Sequence, residues 1–321
     1  MIQEILKKQK KEFIIIGSSV AGLVLILVIS FVWAKSANGE IEKEEEVVPA
    51  PVVEVVNPFE EVRLTARAAI IKEVATGKIL YEKNPDEALP LASLTKVVTA
   101  ITALDILSED DLVRVHSSDL VSGNDSGFVI GSYFRLKDML NVSLVSSSNG
   151  AAQAIAVAGG EKIALAPGEA LISFVDRMNA VASRIGMEKT NFKNPTGLDE
   201  ENETVASATG SARDISRLFE YVLKNEPQIF EATREDYVVI KSREGYEHKV
   251  INTNKIVGDL PNIIGSKTGY TDLAGGNLAV VIDPGLNTPV VIVVLGSSKE
   301  GRFKDVERLS KATLDYFLLK Q

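Results

Sequence analysis

Three short clusters in this chain set a nucleophile, an amine and polar side chains at spacings that catalysis can use. In LPLASLTKVVTA, Ser93 stands three residues before Lys96 at the start of an apolar run. Residues three apart on a helix share a face, so hydroxyl and amine can meet, and the N–H groups of a helix start favour an oxyanion. The same serine suits an ordinary N-cap, and the tetrad arises by chance in many chains. In IIGSKTGYTDLAGGNL, Lys267-Thr268-Gly269 sets a cation and a hydroxyl before a residue without a side chain. A phosphate loop would need glycines where Ser266 and Pro261 stand. A strand presenting Lys267 and Thr268 ahead of Gly269 instead lets a substrate backbone lie alongside, and a sheet edge turning at Gly269 is the plainer reading.

A serine and an asparagine facing such a pair would complete the set, and two places offer them. Ser122-Gly123-Asn124 lies among glycines and small polar residues and reads as a turn with nothing to hold it. Ser147-Ser148-Asn149 lies between LKDMLNVSLV and GAAQAIAVA, two helical patterns that fix it from both sides, so Ser147 and Asn149 are preferred. With His116 and His248 the sole histidines and no cysteine, a Ser-His-Asp triad, a thiol nucleophile or a zinc-thiolate site is hard to build. A hydrolase made from this chain needs another base, and lysine is at hand.

These residues must be positioned by a folded part spanning about Phe59 to Gln321. Apolar runs at 66–74 and 78–82 around Ala75-Thr76-Gly77 predict a hairpin. Helices are expected from Ser93 to about Leu107 and over 136–145, 149–157, 167–185 and 211–223, the last opening on the capping-box pattern Ser211-x-x-Asp214. Strands are expected at 237–241, 278–282 and 290–295, and an amphipathic helix closes the chain over 302–319. Strands at both ends with helices between predict an α+β fold: one antiparallel sheet assembled from the two ends of the domain, flanked by helices and carrying an inserted helical lobe. Where lobe and sheet meet, a cleft is expected.

The chain of 321 residues is 45% hydrophobic, enough for a sizeable core, and its net charge of −9 gives nucleic acid no basic surface. Residues 1–12 carry Lys7, Lys8, Lys10 and Lys11, and residues 13–34 then run about 22 positions without a charge, the length of a bilayer-spanning helix. The positive-inside bias places the lysines in the cytoplasm and everything beyond Lys35 outside. A cleaved signal peptide is the rival, since Val32 and Ala34 have the spacing of a cleavage site, and the domain would then be secreted. Residues 35–58, acidic and with three prolines, read as a linker.

In the order S-x-x-K, S-x-N, K-T-G, the three clusters resemble the signature set of penicillin-binding proteins and β-lactamases. The chain resembles most the D-alanyl-D-alanine carboxypeptidase family of penicillin-binding serine peptidases, over roughly Leu64 to Phe317. The resemblance extends to TGKILYEKN, TNFKNPTGLD, SARDIS and the NTN of Asn252 to Asn254. It implies a β-lactamase-like fold and a bacterial membrane enzyme of the cell wall, with its catalytic domain outside the cytoplasm. Peptidoglycan stem peptides would be its substrates and β-lactams its covalent inhibitors; no metal or organic cofactor is implied.

Carried onto this sequence, Ser93 would attack the penultimate D-alanine carbonyl to form an acyl-enzyme, and Lys96 would take its proton. Desolvation and the charge of Lys267 would both lower the Lys96 pKa. Ser147 would protonate the leaving amine, and Asn149 would orient Lys96 and hold the substrate amide. Lys267 and Thr268, ahead of Gly269, would bind the terminal carboxylate, and the N–H groups of Ser93 and Tyr270 would form the oxyanion hole. A departure is Gly150, where many members carry a polar residue. The glutamate pattern that a class A β-lactamase uses for deacylation is missing between Asn149 and Lys267. An endopeptidase acting on cross-links would use the same residues, and a silent wall-binding protein could keep the fold without the chemistry.

Overall fold

The computed structural model describes residues 22–34, 57–120, 128–199, 205–285 and 287–319. The chain divides into two compact units, Met1–Glu54 and Val55–Gln321. In the first, residues 22–34 form a helix (α1) whose apolar side chains, among them Leu23, Ile26, Phe31 and Trp33, are exposed. Among the described residues no helix is long and apolar enough to cross a membrane. Residues 1–21 and 35–56, which hold the rest of the expected span and most of the linker, lie outside the described residues.

The second unit is built on a five-stranded antiparallel sheet drawn from both of its ends. β1 (Ala68–Glu73) and β2 (Ile79–Lys83) form the expected hairpin, and β10 (Ile263–Thr271), β11 (Gly275–Ile282) and β12 (Val290–Ser297) complete the order β10-β11-β12-β1-β2. Side chains alternate between two buried faces, which is why these strands read as nearly continuous apolar runs. Ile70, Val281 and Val293 face the larger core with Leu218 and Phe219 of α6 (Ala212–Asn225), while Ile71, Val280 and Ile292 pack on Phe303, Val306 and Leu309 of α8 (Gly301–Leu318). Among the described residues β10 pairs in the sheet with β11 alone; along its other edge Ser266 N donates to Thr233 Oγ1 at 3.0 Å, and residues 268–271 beyond it line a cleft.

Between the two groups of strands lies the helical lobe: α2 (Thr95–Leu104), α3 (Leu136–Val145), α4 (Asn149–Ile163) and α5 (Ala170–Ile185), with the ribbon β4 (Leu112–Arg114) and β5 (Tyr133–Arg135) at its side. The segment β3 (Leu89–Pro90) joins β7 (Ala208–Gly210) and β6 (Asn191–Phe192) in a small sheet, and α7 (Gln228–Glu231) leads to the hairpin β8 (Tyr237–Lys241) and β9 (Glu247–Ile251).

Two local expectations change. Ser93 does not start the helix: it sits in a 3-10 turn, Ala92–Leu94, and α2 begins at Thr95 with no side-chain cap. Ser211 does cap α6, its hydroxyl accepting from Asp214 N at 3.1 Å. The Asp214 carboxylate, however, accepts from Lys189 N and Thr190 Oγ1 and so ties α6 to the small sheet.

Candidate active site

The turn carrying Ser93 is held from four sides. Ala92 adopts φ +48°, a left-handed conformation that a non-glycine residue keeps only where its surroundings impose it. From β11 the buried Asn277 donates Nδ2 to Pro90 O (2.9 Å) and Leu91 O (3.1 Å) and accepts Gly296 N at Oδ1 (2.8 Å). Thr95 Oγ1 donates to Ala92 O at 2.7 Å. On the third side β10 passes so close that a Cβ on Gly269 would lie 2.9 Å from Leu91 O and 3.2 Å from Ser93 N. On the fourth is the TNFKNPTGLD loop, where a Cβ on Gly197 (φ +75°) would lie 2.0 Å from Ala92 O. Leu91 and Leu94 are buried on either side, so the half-buried Ser93 is left facing the cleft.

One turn on, the buried Lys96 places its Nζ 2.8 Å from Ser93 Oγ, 2.8 Å from Asn149 Oδ1 and 2.7 Å from Thr196 O. Ser93, Asn149 and Thr196 surround the amine with three oxygens, so the group is aimed as well as partnered. Thr196 O is itself placed by Asn194, whose Oδ1 accepts Thr196 N (3.1 Å) and Gly197 N (2.8 Å). Asn149 opens α4 directly after Ser148, which caps that helix by accepting Ala151 N at 3.0 Å. Ser147 precedes the cap in a left-handed conformation, φ +63°. The alternative pair, Ser122 and Asn124, lies outside the described residues.

From β10, Lys267 Nζ donates to Ser147 Oγ and to Thr268 O, each at 2.9 Å. Its side chain is buried; burial first, then the charges of Lys96 and Arg302, hold its amine well below the usual lysine range. The Thr268 hydroxyl lies 2.6 Å from Thr253 Oγ1, and Thr253 N donates to Val145 O at 3.0 Å, which joins strand, NTN segment and the end of α3. The cleft between these elements has a volume of about 560 Å³ and is lined by Ser93, Ser147, Asn149, Thr268, Gly269 and Tyr270. The eight residues given roles by the resemblance therefore converge on one place, six lining the cleft and Lys96 and Lys267 buried against Ser93 and Ser147. Among the described residues no group of histidines and carboxylates could hold a metal ion.

Further residues of the cleft carry no motif. Arg302, at the start of α8, lines it and is 7% exposed. Its Nη1 donates to Gly269 O at 2.7 Å, its buried Nε has no partner among the described residues, and burial lowers its pKa. Lys299 also lines the cleft, with Nζ 5.0 Å from the centre of the Tyr270 ring. Arg302 had one visible signal, a cation beside the apolar positions Phe303, Val306 and Leu309 at the start of a closing amphipathic helix. Asn277 had none, and Thr196 stood only within the TNFKNPTGLD segment, since the contacts they make with the Ser93 turn and with Lys96 cross more than ninety positions of chain.

Comparison with known proteins identifies the family. The family model described as D-alanyl-D-alanine carboxypeptidase matches residues 54–299. D-alanyl-D-alanine carboxypeptidase DacF of Bacillus subtilis (strain 168) is 34% identical over 73% of this chain, and the match spans 58% of that protein's length. The D-alanyl-D-alanine endopeptidase of Escherichia coli (strain K12) is 34% identical over 77% of this chain and 76% of its own. Among solved structures, Penicillin-Binding Protein D2 from Listeria monocytogenes in its ampicillin-bound form superposes with a TM-score of 0.67 at 29% identity, covering 78% of this chain and 98% of that one. The chain belongs to the D-alanyl-D-alanine carboxypeptidase family.

Proposed function

We propose that the chain is a serine-type D-alanyl-D-alanine carboxypeptidase that trims peptidoglycan stem peptides through an acyl-enzyme on Ser93. The observation that carries this reading is the Lys96 Nζ placed 2.8 Å from Ser93 Oγ while Asn149 and Thr196 hold it from behind. Ser93 Oγ attacks the penultimate D-alanine carbonyl as its proton passes to Lys96 in the neutral form. Negative charge on the carbonyl oxygen is met by the N–H groups of Ser93 and Tyr270, which the absence of a side chain on Gly269 lets approach each other. The peptide C–N bond then breaks, and Ser147, held by Lys267, passes a proton to the departing amine. Water hydrolyses the ester by the same path reversed. Thr268 and Arg302 hold the terminal carboxylate, a role supported by their place in the cleft lining and by the Gly269 carbonyl that fixes the guanidinium there. A β-lactam would acylate Ser93 in the same way, its opened ring keeping the leaving nitrogen in place.

Cleavage of cross-links is the second reading, supported by the likeness to the E. coli endopeptidase over most of both chains. Mass spectrometry of the full chain with a pentapeptide muropeptide and a cross-linked dimer separates the two. Loss of one alanine supports the carboxypeptidase, separation of the dimer supports the endopeptidase, and a folded chain doing neither contradicts both.

The uncharged run over residues 13–34, the lysines before it and the exposed apolar side chains of α1 support a single-pass anchor in the bacterial cytoplasmic membrane. The unit from Val55 onward would then work outside the cytoplasm as the catalytic domain, beyond the linker that ends near Pro58.

A further inference from the structure

We propose that Lys299 makes the leaving-group end of the cleft selective for substrates whose departing D-residue carries a second carboxylate. This rests on the reading of Ser93 as the acylated serine and of Thr268 and Arg302 as the site of the first carboxylate. Thr268 and Tyr270 are two apart on β10, so both side chains project from the same face of the strand, toward the start of α8. That start supplies two cations to the cleft of different character. Arg302 is buried, anchored to Gly269 O, and has capacity for one carboxylate. Lys299, on the link between β12 and α8, reaches over the half-exposed Tyr270 ring and makes no ion pair among the described residues.

The nearby carboxylates are otherwise engaged. Glu300 is paired first with Lys255 at 2.9 Å, the charge of Lys299 being a smaller influence on it, and Asp272 accepts the Tyr270 hydroxyl at 3.0 Å. The methyl group of a departing D-alanine offers Lys299 no anionic partner. A departing residue with an anionic side chain gives it a partner. The chemistry thus extends the substrate class from terminal D-alanine to D-residues with acidic side chains.

The test uses the full chain in detergent and synthetic stem peptides ending in D-alanyl-D-glutamate, D-alanyl-D-glutamine and D-alanyl-D-alanine. The glutamate and glutamine peptides differ in charge but hardly in shape. The expected kcat/KM for glutamate exceeds that for glutamine about threefold to fivefold at low ionic strength, the range of a partly solvated ion pair, and the ratio shrinks with salt. Lys299→Gln brings the ratio to about one, Lys299→Arg keeps it, and Lys299→Glu inverts it. A wild-type ratio of one, failure to cleave either peptide while D-alanine is released, or a preference that survives Lys299→Gln overturns the proposal. Labelling of each variant by a fluorescent penicillin separates the two levels. If the wild type is neither labelled nor releases D-alanine, the Ser93 reading falls and this one with it.

Discussion

Two lysines divide the work of the site by their surroundings. Lys96 is aimed at Ser93 by two oxygen acceptors, and Lys267 is sunk beneath Ser147 with its amine held well below the usual range by burial and by the charges of Lys96 and Arg302. A depressed lysine has a consequence of fixed sign. Between its folded value and the ordinary value of about 10.5, the unfolded chain binds a proton that the folded chain does not, so stability rises with pH across that window. The measurement is denaturant unfolding of the wild type and of Lys267→Met at pH about 7 to 10. The difference between the two midpoints is expected to move in favour of the wild type as pH rises, and a difference flat in pH would count against a depressed Lys267. Activity of Lys267→Met falls as well, because Ser147 loses the donor that orients it.

At the scale of elements, the site is a 3-10 turn pressed between a sheet edge and a loop, so its precision depends on close approaches and one buried amide. Asn277→Ala removes three hydrogen bonds and leaves the Pro90 and Leu91 carbonyls without a side-chain donor. Destabilisation of about 2–3 kcal/mol is expected, with slower acylation of Ser93, by chemical denaturation and penicillin labelling. Gly269→Ala pushes a methyl group toward Leu91 O and Ser93 N; with backbone on the far side, about 1–3 kcal/mol and most of the acylation rate are expected to be lost. Unchanged labelling kinetics in both variants would show that the turn does not need these supports. The long elements were legible because their patterns are local: Leu136–Val145 and Tyr237–Lys241 have the expected bounds, and the apolar runs of β11 and β12 announce strands buried on both faces. The two- and three-residue strands β3, β6 and β7 are too short for any periodicity, and they exist because the small sheet pairs them. The three motifs could be read because each sits within a few residues of chain. Asn277 and Lys299 could not, because folding alone brings them to the Ser93 turn and to Tyr270. The start of α2 was misjudged for a related reason: tertiary contacts at Ala92 overrule the propensity of ASLTKVV to begin a helix at Ser93.

On the scale of the whole molecule, the sheet joins the two ends of the domain, the helical lobe supplies Lys96, Ser147 and Asn149, and the cleft between them is where both halves of the chemistry meet. The proposed anchor makes a separate prediction. The full chain expressed in a bacterium stays in the membrane pellet after an alkaline carbonate wash, and protease added to spheroplasts removes the domain from outside; release by the wash, or protection from the protease, contradicts it. The central claim, that Ser93 is the acylated nucleophile, has a more direct test. The full-length protein is incubated with a fluorescent penicillin and analysed by peptide mass spectrometry, alongside Ser93→Ala. The expected result is one adduct on the peptide containing Ser93 and no covalent label on the variant. A label that persists on Ser93→Ala, or an adduct on any other residue of the wild type, contradicts it.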